Sequence, residues 1–119
     1  MDTATNGNID LLLSKAMINR LARQFLVHSF LYYRLDETLI DDSEYDEICT
    51  NLNLQRKKSN EYVYKDIVEK SLGTEASGYT IRKYPPEIIS TALHLLYQTK
   101  YKDTKTLDMF CKSYGYNIK

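Results

Sequence analysis

Tryptophan is absent from this chain, and proline and cysteine occur only twice each and glycine four times in 119 residues. So few helix breakers leave long helices uninterrupted. Cys49 and Cys111 cannot build a disulfide framework, and with no CxxC partner and no neighbouring histidines they do not read as a zinc site. Both read as buried or half-buried free thiols. No run of about eighteen apolar residues occurs, because even Phe25 to Tyr33 is broken by His28 and Ser29, which argues against a membrane span. No leader with a small-residue cleavage site is apparent either, so the expected compartment is the cytoplasm. There is also no excess charge. Sixteen basic and sixteen acidic residues cancel, which removes the electrostatic footprint of a dedicated DNA binder. No G-x-S-x-G, phosphate loop, H-E-x-x-H or clustered metal ligands appear, so neither a catalytic residue nor a metal site is expected, and the chain does not read as an enzyme. His28 and His94 stand alone and read as satisfied or solvent-facing histidines.

What remains is an apolar fraction of 43%, sufficient for one modest core, and eleven tyrosines. One domain over residues 1–119 follows from this length. The charge is unevenly spread: residues 1–52 carry four basic and nine acidic side chains, a net of minus five, and residues 53–119 carry twelve and seven, a net of plus five. The two halves should either make the molecule polar end to end or face each other.

Hydrophobic spacing predicts an all-α fold of about five helices. Residues 1–7 read as a disordered terminus, residues 8–54 as a helical hairpin and residues 60–115 as a helical C-terminal part. Asn8 caps a first helix to about Arg34, with Leu13, Met17, Leu21 and Phe25 stepping by four and Ile18 and Ala22 on the same stripe. The second begins at Asp41 or Asp42, where Glu44 can complete a capping box, and buries Tyr45, Ile48, Cys49 and Leu52. After a basic linker at 55–59, Asn60 caps a third helix with Val63, Ile67 and Val68 inward, and Gly73 stops it. A long loop to Pro85 follows, with an extended run at 79–81. Pro86 suits the first position of a fourth helix carrying Ile89, Ala92, Leu93, Leu96 and Tyr97. Thr104 caps a fifth, with Leu107, Phe110, Cys111 and Tyr114 inward and Gly115 as its end.

The most specific stretch is Leu31 to Ile48, in which two adjacent tyrosines precede seven acids in twelve residues and a third tyrosine. Its order, Tyr32-Tyr33 and then Ile40-Asp41-Asp42-Ser43-Glu44-Tyr45-Asp46, resembles the motif of the small N-terminal helical domain of NAD-dependent bacterial DNA ligases: a YY or YH pair, then I-S-D-x-E-Y-D. The resemblance covers about residues 20–52. It implies a helical hairpin that closes over the nicotinamide mononucleotide half of NAD, with Tyr32, Tyr33, Asp42, Tyr45 and Asp46 as the contacts. Asp41 stands where the family usually has serine or proline. The K-x-D-G lysine on which those ligases form their AMP intermediate does not occur here, so the ligase reaction is not expected and any affinity for NAD or its mononucleotide should be weak. No cofactor is required.

The same residues have a physical reading. Tyrosine faces beside carboxylates suit a flat cation such as oxidised nicotinamide, and ribose hydroxyls can donate to aspartate. Three functions follow. The first is a non-enzymatic interaction protein, of the kind found in phages and mobile elements, that binds and modulates a nucleic-acid-processing host enzyme through Asp36, Glu37, Asp41, Glu44 and Glu47 on a tyrosine-rich surface. The second is a nicotinamide-nucleotide-binding accessory module. The third is nucleic-acid binding by a helix-turn-helix-like C-terminal half through Arg82, Lys83, Lys100, Lys102, Lys105 and Lys112 with Tyr101 and Tyr116.

Overall fold

A computed structural model describes residues 3–59, 61–72 and 81–116, with side chains from residue 12 onward. Its architecture is all-α, and no strand occurs among the described residues. The helices are α1 (Thr3–Leu35), α2 (Asp42–Arg56), α3 (Lys65–Leu72), α4 (Pro86–Leu96) and α5 (Leu107–Ser113), with a π-helical turn, Tyr97–Tyr101, prolonging α4. The expected Asn60 cap, Gly73 stop and Tyr79–Thr80 run lie outside the described residues.

α1 is the axis of the molecule. At about 1.5 Å per residue its 33 residues nearly match the longest dimension, 54 Å. It packs against α2 and α4, and its stripe of Ile18, Leu21, Ala22, Phe25, Leu26, Phe30 and Leu31 is buried. Leu52 of α2, Val68 of α3, Ile81 and Tyr84 ahead of α4, Ile88, Ala92, Leu93 and Leu96 of α4, and Phe110 and Cys111 of α5 join the core. Each large apolar side chain buried this fully contributes about 1.5–3 kcal/mol relative to exposure. Ile88, one residue before the expected Ile89, is the fully buried one.

The first helix departs from expectation at its start. It begins at Thr3, so residues 3–7 are helical and Asn8 is interior; extending a formed helix adds one hydrogen bond per residue fixed, whereas nucleation is the costly step. The apolar stripe also outruns its partners. Leu13 is 62% and Met17 42% exposed, because packing on α1 begins only at Ile18.

Caps and connections set the remaining elements. Asp41 caps α2, its Oδ1 accepting from the Glu44 amide at 2.7 Å. α2 runs to Arg56, taking in residues expected in the linker. Val63 lies ahead of α3 and is 71% exposed rather than inward. Its amide donates to Asn19 Oδ1 at 2.9 Å, which fixes this connection on α1 through the backbone instead of the side chain. Pro86 occupies the first turn of α4, as expected. Thr106, not Thr104, caps α5 by accepting from the Met109 amide at 3.2 Å. Thr104 is engaged in closing the preceding turn, its amide donating to Tyr101 O at 3.1 Å. Gly115, at φ +84°, ends α5: its amide bonds to Lys112 O and that of Tyr116 to Cys111 O, the paired bonds of a Schellman motif.

Candidate functional site

Between the end of α1 and the start of α2 lies a cleft of about 290 Å³. Periodicity explains what α1 brings to it. His28 and Tyr32 are one turn apart on the edge of the helix that continues from the buried Phe25 and Ser29 towards α2, and Tyr33 adjoins them. The connection contributes Glu37 to Asp41, and the first turn of α2 contributes Asp42, Tyr45 and Asp46. The five positions expected to contact a nicotinamide nucleotide, Tyr32, Tyr33, Asp42, Tyr45 and Asp46, therefore all line one cleft.

Their environments differ. Tyr32 is half exposed and meets Tyr33 edge to face, with ring centroids 4.8 Å apart. Burial, the neighbouring Tyr32 and Cys49 raise the Tyr33 pKa. Tyr45 is the anchored member: its ring stacks on Phe25 at 6.1 Å and its hydroxyl shares a 2.7 Å hydrogen bond with Ser29. Burial raises its pKa far more than that bond lowers it, so it is a neutral phenol at any physiological pH. Ser29 is wholly buried and joins the site from outside the tyrosine and acid motif. A hydroxyl in an otherwise apolar stripe was the available signal, since a buried polar group requires a partner. Asp42 and Asp46 are exposed and accept no hydrogen bond from any described residue. Cys49, one turn beyond Tyr45, is half-buried, and burial pushes its thiol up to about 11.

The acids expected to meet a partner separate into two groups. Asp36, Asp41, Glu44 and Glu47 are exposed, with Asp41 also serving as the cap. Glu37 is turned inward. Its Oε1 accepts from Tyr101 at 2.6 Å and Tyr114 at 3.5 Å, and its Oε2 accepts from Lys100 at 3.1 Å. Burial opposes its charge, but these donors outweigh it and hold the carboxyl below its usual range. The turn inward begins at Asp36, whose φ of +55° is left-handed, a conformation that aspartate tolerates better than most residues. Glu37 thereby joins the cleft wall to the C-terminal half, a link spanning more than sixty positions that local pattern does not reveal.

The basic C-terminal residues are partly committed. Lys100 pairs with Glu37, Lys112 with Asp108 at 3.1 Å, and the Lys105 ammonium lies 5.7 Å from the Tyr101 ring centre. Arg82, Lys83 and Lys102 are exposed, and they form no salt bridge among the described residues. No cluster of three potential metal ligands occurs among the described residues, and no helix there is long and apolar enough to cross a membrane. Comparison with family models, with curated proteins and with solved structures finds no match to this chain.

Proposed function

We propose that this chain is a non-enzymatic binding module whose cleft takes the nicotinamide end of NAD or nicotinamide mononucleotide, on a helical hairpin similar to that of NAD-dependent ligases. One observation carries the reading: Tyr32, Tyr33, Asp42, Tyr45 and Asp46, matched one by one to the ligase motif, all line the same 290 Å³ cleft. The chemistry suits such a ligand. An exposed tyrosine face attracts a flat cation by about 0.5–2 kcal/mol, and the free carboxylates of Asp42 and Asp46 add Coulombic attraction and accept ribose hydroxyls. The reading assigns no contacts to adenosine, so affinity should be weak, on the order of 1 mM, or about −4 kcal/mol. No K-x-D-G lysine occurs in these 119 residues, and no covalent AMP step belongs to the reading. NMR titration with oxidised nicotinamide compounds tests it: signals of Tyr32, Tyr33 and Tyr45 should shift, and if none moves at millimolar ligand the reading fails.

A second reading has support of its own. Asp36, Asp41, Asp42, Glu44, Asp46 and Glu47 are all exposed at the same end of the hairpin. That face can occupy the basic groove of a nucleic-acid-processing enzyme, the action expected of a phage or mobile-element protein that modulates its host. A pull-down that recovers no stoichiometric partner, or recovers the same proteins when these acids are changed to amides, removes it.

A further inference from the structure

At neutral pH the charges lining the cleft are all of one sign. Among the described residues, Glu37, Asp41, Asp42 and Asp46 supply carboxylates, His28 alone among the lining groups can become a cation, and no lysine or arginine lines the space. Burial lowers the His28 pKa below its usual 6.5, so at pH 7 that imidazole is uncharged. Two nearby sources of positive potential are already engaged. The amino end of a helix ordinarily attracts an anion, yet here Asp41 has placed its own carboxylate on the Glu44 amide, with Asp42 and Glu44 beside it in the first turn. Lys100 does not line the cleft and is held by Glu37. A phosphate entering this space would meet Asp41, Asp42 and Asp46 with no cationic side chain among the described lining residues to offset its charge.

Resting on the nicotinamide reading above, we infer that the cleft recognises a cationic nucleoside without its phosphate. Oxidised nicotinamide riboside is then a better ligand than nicotinamide mononucleotide, and in a larger nicotinamide nucleotide the phosphates stay outside the cleft. Size agrees with charge. The cleft volume of about 290 Å³ lies just below the range of roughly 300–1,000 Å³ usual for small-molecule sites, which suits a nucleoside better than a dinucleotide. Within it the exposed Tyr32 ring offers a face to the pyridinium, and the free carboxylates of Asp42 and Asp46 accept the ribose hydroxyls.

The test is a comparison of four compounds against the full chain at pH 7 and low salt: oxidised nicotinamide riboside, its neutral reduced form, nicotinamide mononucleotide and nicotinamide. Chemical shifts of Tyr32, Tyr33 and Tyr45 report binding. The riboside should bind at least about tenfold more tightly than the mononucleotide, a difference of about 1.4 kcal/mol, and the reduced riboside should bind more weakly than the oxidised form by a similar factor. Asp46→Asn, and separately Asp42→Asn plus Asp46→Asn, should narrow the gap between riboside and mononucleotide. Both changes are nearly isosteric at exposed positions, and an unchanged amide spectrum checks the fold. Equal or tighter binding of the mononucleotide, or a gap untouched by the amide variants, overturns this inference and leaves the nicotinamide reading standing. If none of the four compounds moves the tyrosines, the nicotinamide reading fails as well.

Discussion

Replacing Glu37 with glutamine tests how the α1–α2 hairpin is fastened to the rest of the molecule. The Glu37 side chain is only 14% exposed, and its bond from Tyr101, 2.6 Å long and made to a charged acceptor, belongs to the class worth about 1.5–3 kcal/mol. Lys100 is 42% exposed, so solvent screening discounts its ion pair to about 0.2–1 kcal/mol. The 3.5 Å contact with Tyr114 is at the limit of a hydrogen bond and adds little. Glutamine keeps the volume and one acceptor, so the expected loss is about 1–2 kcal/mol, a fall in Tm of about 4–10 °C for a chain of this size. The pH dependence is more discriminating. A carboxyl held below its ordinary 4.5 in the folded state contributes stability that is complete above that value and is lost as pH falls through its folded pKa. Thermal melts at pH 7 and at steps from pH 5 to 3 should therefore show a gap between the two proteins that is widest at pH 7 and closes towards pH 3. Glu69 is also held low, by Arg56 and Tyr62 against the effect of burial, but it is common to both proteins and cancels in the difference. A gap below about 1 °C at pH 7, or one that stays constant down to pH 3, refutes the reasoning.

Three further outcomes are expected. Asp41→Ala removes the cap of α2 and should cost about 1 kcal/mol in urea denaturation, with Asp41→Ser recovering most of it. Ser29→Ala removes the 2.7 Å bond to the Tyr45 hydroxyl, leaving that hydroxyl only the Cys49 thiol, and should cost about 0.5–1.5 kcal/mol. Adding Tyr45→Phe should return part of that loss, and strictly additive costs would show that the pair is not coupled. Alkylation of Cys49 and Cys111 should be slow in the folded chain at pH 7.5, because burial raises both thiol pKa values, and it should accelerate in denaturant. Rapid modification of the native protein would contradict the placement of both side chains.

Local periodicity and cap chemistry were enough to bring Tyr32, Tyr33, Asp42, Tyr45 and Asp46 together. Two helices joined by six residues leave few ways to arrange their ends, and Asp41 with Glu44 marks where the second begins. The misplaced residues depend on distant partners or on competition between equals. Leu13 and Met17 share the spacing of Leu21 and Phe25, and only the reach of the neighbouring elements separates exposed from buried. Val63 is apolar, yet its amide is what the fold uses. Thr104 and Thr106 are chemically identical caps, and the demand of the preceding turn assigns one and frees the other. Glu37 reads as one acid among seven until Tyr101 arrives from the other half of the chain.

The sharing of α1 between α2 and α4 has a kinetic consequence. The α1–α2 pair closes over residues 36–41, whereas α1 meets α4 only after the fifty residues 36–85 are spanned. Loop-closure entropy separates the two events by roughly 2 kcal/mol, and local pairing is the faster process. In refolding the hairpin is therefore expected to close first. Leu52→Ala should slow folding, with a high φ-value, while truncation of Phe110 should chiefly accelerate unfolding. The cleft, whose walls all belong to the hairpin, is then assembled before the C-terminal helices dock, and Glu37 becomes the latch they close on.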